Sequence, residues 1–381
     1  MRIWGITGTN GKTTTTWILA AFLEADPARK CGYVTTVEVF DGRDRSYTGY
    51  TTPPLAQLKD IFARMERNGC TDCAMEVSSH AIHQRRTGDT VFAGGAFTNL
   101  SEDHLDYHKT MEEYFRVKLS FAERIAASHP TTPDMGRRDL PPYVVCLDGG
   151  YGREMFNAVG NLAVNVLPAS IEQSSNGNFD LSELQLVGDY NKSNVLVAAT
   201  LAEAAGVPHE AIQTAIPTLK PRWGRLEYVP CASKARVYVD FAHTPDGLEK
   251  VLGAARGFTK GRLWVVFGAG GDRDPMKRPL MGAACAKLAD RLVVTSDNPR
   301  SEDPLKIIDA IMAGVKSVAG ESSRAAATTV EPDRAKAISF ALANAGADDV
   351  VIIAGKGHET TQEIAGVKHP FDDREVVRAF R

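Results

Sequence analysis

W-G-I-T-G-T-N-G-K-T-T-T-T occupies residues 4–16, and its reading decides the fold of the first half of the chain. Residues 2–6 are short and mostly apolar, as a buried strand is, and a glycine-bearing turn leads from them into a helix predicted over 14–25. Strand, glycine loop, lysine, hydroxyl and helix in that order make a phosphate-binding loop. Gly8 and Gly11 let the backbone turn so that N–H groups around Thr9 and Asn10 face an anion, and the helix adds the positive end of its dipole. Lys12 reaches the β- and γ-oxygens of a nucleoside triphosphate, Thr13 offers its hydroxyl to Mg²⁺, and Thr14 opens the helix. Ile6 stands where the strict G-x-x-x-x-G-K-[ST] pattern has glycine, so the loop is a departure from that form.

Composition narrows the class. A chain of 381 residues predicts two domains, each able to bury its own core. A net charge of -3 gives no electrostatic reason for nucleic acid or an anionic membrane as partner. No apolar run approaches the ~20 residues of a membrane span, and no basic flank precedes an apolar segment at the N-terminus. The expectation is a cytoplasmic monomer acting on small molecules. Cys70 and Cys73 form a lone C-x-x-C without a second pair, and Cys73 opens an apolar run, so the cysteines read as packed, reduced thiols rather than a zinc site.

Helical patterns alternate with short apolar strands, the signature of α/β sheets covered by helices on both faces. Strands are predicted at 2–6, 72–77, 95–99 and 143–147, and again at 235–241, 263–267, 291–296 and 350–354. Helices are expected over 187–204 and 206–218, and surface loops over 129–142 and 172–180. L-K-P-R-W-G at 219–224 carries linker punctuation, which divides the chain into domains 1–222 and 223–381.

Polar groups gather where predicted strands end. E-V-S-S-H at 76–80 closes one strand and F-T-N-L-S-E-D-H at 97–104 closes another; in an open α/β sheet, ligands sit at that end. Two such ends beside a phosphate loop can bring a carboxylate and an imidazole to one cation. Mg²⁺ prefers oxygen, so Glu76 is the natural ligand and His104 the less usual one. His83 and His108 read as surface or helix-capping residues.

Taken together, G-I-T-G-T-N-G-K-T-T, T-T-P, E-V-S-S-H, F-T-N-L-S-E-D-H-L-D-Y-H and G-K-G-H-E resemble the Mur ligases, the ATP-dependent amino-acid-adding enzymes of peptidoglycan synthesis. The resemblance runs from Arg2 to the C-terminus, with the motifs in family order, and lies nearest the members that add the third residue of the stem peptide. It implies a P-loop ATPase domain with a mostly parallel sheet, then a Rossmann-like α/β domain. It implies ATP, two Mg²⁺ ions, and metal ligation by Thr13, Glu76, His104 and a carbamate formed from CO₂ on Lys118. Catalysis would rest on Lys12, Glu76, His104 and Lys118. Asn99 would lie near the phosphates with Arg225, Asn191 and Asn194 near adenine, Asp240 on the ribose and His243 near the nucleoside. Thr51, Thr52, Ser78, Ser79 and Arg86 would touch the muramoyl-peptide end of the acyl substrate.

D-N-P-R at 297–300 is the family form associated with meso-diaminopimelate. That amino acid carries an extra carboxylate, and a guanidinium grips a carboxylate with two parallel hydrogen bonds. Arg273, Asp297, Asn298, Arg300, Gly355 and Glu359 are the amino-acid contacts the resemblance implies. The reaction would join that amino acid to the D-glutamate carboxylate of a muramoyl dipeptide through an acyl phosphate. The chain departs from the family in two places. Its first strand begins at Arg2, without the domain that grips uridine diphosphate, and the 118–187 region looks short. The alternatives are a UDP-free muropeptide, a cyanophycin- or poly-glutamate-type substrate, or a separate polypeptide that supplies the missing domain.

Overall fold

In the computed structural model the opening strand, β1 (Arg2–Thr7), is buried from Trp4 onward, and the loop after it runs into α1 (Lys12–Glu24). The structure describes residues 1–132, 134–174, 179–222, 224–318, 324–325 and 327–381. Trp223 of the expected linker, and Pro133 and 175–178 of the expected loops, lie outside the described residues. Two units emerge, Met1–Leu219 and Lys220–Arg381.

After α1 come β2 (Cys31–Val34), β3 (Val39–Phe40), β4 (Arg45–Ser46), α2 (Leu55–Arg67), β5 (Asp72–Glu76), α3 (Ser79–His83) and β6 (Gly94–Phe97). The unit continues through α4 (Leu105–His108), α5 (Met111–Ala127), β7 (Pro142–Cys146), α6 (Gly152–Val159), β8 (Asn165–Ala169), α7 (Ile171–Ser174), α8 (Asp189–Ala204) and α9 (His209–Ala215). The sheet order is β4-β3-β2-β5-β1-β6-β7-β8, parallel from β2 to β8 and antiparallel only at β3 and β4. Parallel strands covered on both faces are apolar throughout, which is why β2 and β5 are buried at every position. α2 shows the amphipathic alternative: Leu58, Ile61 and Met65 are buried on one face while Lys59, Asp60 and Glu66 face solvent. Burying each of those apolar side chains contributes roughly 1.5–3 kcal/mol.

The second unit runs β9 (Glu227–Tyr228), β10 (Arg236–Asp240), α10 (Pro245–Arg256), β11 (Leu263–Phe267), α11 (Lys277–Leu288), β12 (Arg291–Val294), α12 (Pro304–Ser317) and β13 (Ala327–Val330). It ends with α13 (Arg334–Asn344), β14 (Val350–Ala354), the hairpin β15 (Thr361–Ile364) and β16 (Val367–Pro370), and α14 (Asp373–Ala379). Its main sheet is β13-β12-β11-β14-β10-β9, parallel except at β9. The period of two along each strand builds separate cores. Leu263, Val265, Phe267, Val350 and Ile352 pack with Leu248, Met281 and Ile311, while Trp264, Val266, Val351 and Ile353 pack with Ile338, Leu342 and Val377.

Both units are the α/β sheets expected. The differences have local causes. Residues 206–218 were expected as one helix; α9 starts only after Pro208, whose ring disfavours helix at Val207, and residues Ile216–Thr218 tighten into a 3₁₀ turn around Pro217. Ile171–Ser174 form a helical turn where a loop was expected, and Arg137–Asp139 form a 3₁₀ turn within the 129–142 stretch. Among the described residues, no helix is long and apolar enough to cross a membrane.

Candidate active site

β1 lies between β5 and β6, so the chain departs to opposite sides of it and a crevice opens beyond the carboxyl ends of these strands. The phosphate loop fills that position. Gly11 has φ 84°, and a Cβ there would overlap the Asn194 side chain. The loop is held from below. Thr9 N donates to Asn99 O at 2.8 Å, Asn10 N to Asn99 Oδ1 at 2.9 Å, and Asn99 Nδ2 to Asn10 O at 3.1 Å. Thr98 Oγ1 donates to Asn10 O at 2.7 Å, and Thr15 Oγ1 to Asn194 Oδ1 at 3.2 Å. Asn191 and Asn194 are buried on α8, with Asn194 Nδ2 3.5 Å from Asn191 Oδ1. Thr13 is buried and Thr14 half-buried at the start of α1.

Two lysines meet under this loop. Lys12 Nζ donates to Gly8 O at 3.0 Å and to Thr9 O at 2.8 Å. Lys118, on α5, is buried; its Nζ donates to the same Gly8 O at 2.8 Å and lies 4.5 Å from the Tyr114 ring centre. Burial, and then the charge of Lys12, hold the Lys118 ammonium well below the usual lysine range, against the opposing pull of Asp103.

Glu76 closes β5 and is buried, accepting from Thr36 N at 2.8 Å and from Thr36 Oγ1 at 3.1 Å. Thr36 was not among the sequence candidates; V-T-T directly after the apolar residues of β2 is the signal that could have found it. Around Glu76, Thr51 Oγ1 lies 3.0 Å from Thr36 Oγ1, and Thr52 Oγ1 donates to Glu76 O at 2.9 Å while accepting from Ser78 N at 3.0 Å. Ser78 caps α3, and Ser79 is 2.9 Å from His108 Nε2. Arg86 lies over the Tyr50 ring at 5.7 Å and is bonded to Gln84. His104 sits with φ 57°, its ring 4.8 Å from that of His80. Burial pushes the His104 imidazole down to about 3 even though Asp103 pulls the other way. His83 is exposed, as expected, but His108 is not a surface residue: it is buried and stacked on Tyr114 at 4.9 Å.

In the second unit the corresponding groups also stand at carboxyl ends of strands. Asp240 closes β10 and is buried; its two oxygens accept from Leu226 N at 2.6 Å and Ala242 N at 2.7 Å, so it shapes the turn that carries Arg225. Burial raises the Asp240 carboxyl above its usual range, against the pull of Arg225. Arg225 lies over the Phe241 ring at 4.5 Å, and His243 Nδ1 is 2.8 Å from Phe241 O. Asp297, Asn298 and Arg300 follow β12, and Gly355 and Glu359 follow β14. Asn298 Nδ2 donates to Glu359 Oε2 at 2.8 Å, while the fully buried Lys356 donates to Asn298 Oδ1 at 3.0 Å and to Glu359 Oε2 at 2.8 Å. Arg300 has φ 52°; its guanidinium donates to Gly271 O and lies 3.9 Å from Glu363 Oε2. Gly355, at φ 117°, faces the Asp297 carboxylate. Arg273 is exposed, donating to Asp272 O at 3.0 Å.

His358 gives this unit a pH signature. Burial, then Arg225, Arg374, His243 and Lys356, push its imidazole down to about 3 from an ordinary 6.5. A histidine held neutral in the fold contributes stability that is complete above the unfolded value. That stability is lost as pH falls from about 6.5 toward about 3, at up to ~1.4 kcal/mol per pH unit. Urea unfolding at about pH 7 and about pH 4.5 should show a smaller pH slope for His358→Gln than for wild type; equal slopes would remove this residue from the account.

These arrangements define a class: a P-loop nucleotide-binding α/β unit followed by a Rossmann-like unit with polar groups clustered at its strand ends. The chain matches the Mur ligase middle domain over residues 6–202 and the Mur ligase glutamate ligase domain over residues 224–357, and it belongs to the Mur ligase family. As a member it is an ATP-dependent, ADP-forming ligase that uses Mg²⁺. It is 40% identical to the UDP-N-acetylmuramoyl-L-alanyl-D-glutamate--2,6-diaminopimelate ligase of a Synechococcus species, over 98% of this chain and 76% of that one. The enzyme of the same name from Bacillus licheniformis is also 40% identical, over 99% of this chain and 78% of its own length. A solved structure bearing that name superposes with a TM-score of 0.61 at 32% identity, over 99% of this chain and 77% of the other. A pseudomurein peptide ligase from Methanothermus fervidus shares the fold, with a TM-score of 0.63 at 17% identity, over 93% of this chain and 76% of the other.

Proposed function

We propose that this chain adds meso-diaminopimelate to the D-glutamate carboxylate of a UDP-linked muramoyl dipeptide. The observation that carries this reading is the grouping of Asn298, Lys356 and Glu359 beside Arg300 at the ends of β12 and β14. A diamino acid with two carboxylates presents both ammonium and carboxylate ends, and this cluster offers an acid and a guanidinium to meet them. The names borne by relatives of 40% identity support the same acceptor.

The substrate carboxylate attacks the γ-phosphate in line, giving an acyl phosphate and ADP. The amine of the incoming amino acid then attacks the acyl carbon, phosphate leaves, and an amide remains. Lys12 follows the charge that develops on the transferring phosphoryl oxygens, and the N–H groups at the start of α1 fix the β-phosphate, those of Thr9 and Asn10 being turned to Asn99. Glu76, Thr13 and His104 are the residues that would hold Mg²⁺, with a second ion beside a carbamate on Lys118. Mg²⁺ fits this set because it retains waters and phosphate oxygens and needs few protein ligands. When bound, it neutralises phosphate charge and polarises the phosphoryl group. Lys118 supports the carbamate: burial disfavours its ammonium, and the neutral amine is the form that attacks CO₂, losing one proton as the carbamate forms. Asp240 would meet the ribose, Asn99, Asn191, Asn194, Arg225 and His243 the rest of the nucleotide, and Thr51, Thr52, Ser78, Ser79 and Arg86 the acyl substrate.

The test is ADP release with Mg²⁺, bicarbonate and UDP-N-acetylmuramoyl-L-alanyl-D-glutamate, with and without meso-diaminopimelate. Release that needs both substrates, with a product heavier by one diaminopimelate residue, is the expected result. Release only with the UDP-free muropeptide would overturn the donor assignment. Arg300→Ala should raise KM for meso-diaminopimelate by about 10- to 100-fold, the loss of a charge-assisted pair worth ~1.5–3 kcal/mol, and leave KM for ATP unchanged. Unchanged acceptor preference would show that Arg300 does not read the extra carboxylate.

A further inference from the structure

Arg334 and Asp373 form a fully buried ion pair in the second unit, and neither is among the residues assigned to a substrate. Arg334 Nε donates to Asp373 Oδ1 and Nη2 to Asp373 Oδ2, both at 2.7 Å, a two-pronged contact with 0% side-chain exposure on each partner. Arg334 is the first residue of α13 and Asp373 the first residue of α14, so the pair joins the starts of two helices. The same guanidinium reaches the sheet. Its Nη1 donates to Ser296 O at 3.3 Å and its Nη2 to Ala354 O at 3.0 Å. Ser296 is the residue before Asp297, and Ala354 is the residue before Gly355. One side chain therefore clamps both acceptor-bearing loops where they leave β12 and β14.

A buried ion pair is a poor source of stability, because the desolvation of two charges offsets their attraction; a well-packed apolar pair of similar volume often does as well. What an apolar pair cannot do is donate to two carbonyls on different strands. Beyond the clamp the loops are already cross-bonded: Lys356 joins Asn298 to Glu359, Gln362 Nε2 donates to Asp297 O at 2.8 Å, and Glu363 N donates to Asn298 Oδ1 at 3.0 Å. A shift of one loop at its root would pull Asn298 away from Glu359, and displacements of about 1 Å degrade binding geometry.

We propose that the Arg334–Asp373 pair positions the amino-acid site, setting the register of the 297–300 loop against the 355–359 loop, so that the C-terminal helix serves acceptor recognition. This rests on the placing of the acceptor at those loops.

The test compares Asp373→Asn, Arg334→Lys and the double variant Arg334→Met/Asp373→Leu with wild type, in steady-state kinetics and in hydrogen exchange of the full chain. Each should raise KM for meso-diaminopimelate at least tenfold, with KM for ATP and for the muramoyl dipeptide within twofold of wild type. The double variant separates folding from positioning: if it melts like wild type yet keeps the raised KM, the clamp is the cause. Restoration of the KM in the double variant, or a parallel rise in every KM, would overturn the proposal. Should wild type use no diaminopimelate at all, the acceptor assignment fails by itself, and exchange still decides on the clamp. Faster exchange confined to 295–300 and 355–364 sustains it, and a uniform increase across the unit rejects it.

Discussion

Lys12→Ala is expected to lower kcat by on the order of 10³-fold or more while the fold persists. Lys12 Nζ spans Gly8 O and Thr9 O, so the ammonium is held against the loop by two of its own carbonyls. As charge builds on the transferring phosphoryl oxygens, a cation fixed beside them lowers the barrier without reorganisation. The loop itself should survive, because Asn99 and Thr98 support it independently and Lys118 still donates to Gly8 O. Lys12→Arg should not restore activity, since a planar fork does not occupy the position of a compact ammonium. Single-turnover ADP formation, with a melting curve beside it, checks this. A kcat within tenfold of wild type in a folded variant would remove Lys12 from the chemistry.

How far the sequence reveals this protein depends on how local the physics is. The phosphate loop is legible because strand, glycines, lysine and helix are contiguous, and each residue's role follows from its chemistry. The buried parallel strands are legible as apolar runs. The edges are not: β8 contains Pro168, β13 reads A-T-T-V, and both lie at sheet margins where an alternating or polar strand suffices. The supports of the site are hidden for a different reason. Thr36 and Glu76 are 40 residues apart, and Arg334 and Asp373 are 39 apart, so no spacing rule announces either contact. His108 looks like any exposed helix histidine until Tyr114 and Ser79 close over it. Chemistry at strand ends can be read from the chain; the side chains that aim it appear only with the fold.

Lys118→Ala is expected to abolish turnover, and added bicarbonate should not restore it. Two roles for Lys118 make different predictions. As a prop, it only donates to Gly8 O, and CO₂ is irrelevant. As a carbamate, it carries an anionic oxygen ligand at the foot of the phosphate loop, and the enzyme depends on CO₂. Its setting favours the second role. Burial and the like charge of Lys12 disfavour an ammonium here, outweighing the Tyr114 ring at 4.5 Å and the Gly8 carbonyl at 2.8 Å, and a neutral amine bears less of that cost. Carbamate formation would replace a group that Lys12 disfavours as a cation with an anion that pairs with Lys12. Wild-type enzyme stripped of CO₂ should therefore lose activity and regain it on bicarbonate, whereas Lys118→Ala and Lys118→Arg stay inactive under both conditions. Labelled bicarbonate should give wild type a carbamate carbon signal that both variants lack. Wild-type turnover indifferent to CO₂, with no labelled carbon bound, would leave Lys118 as a loop support.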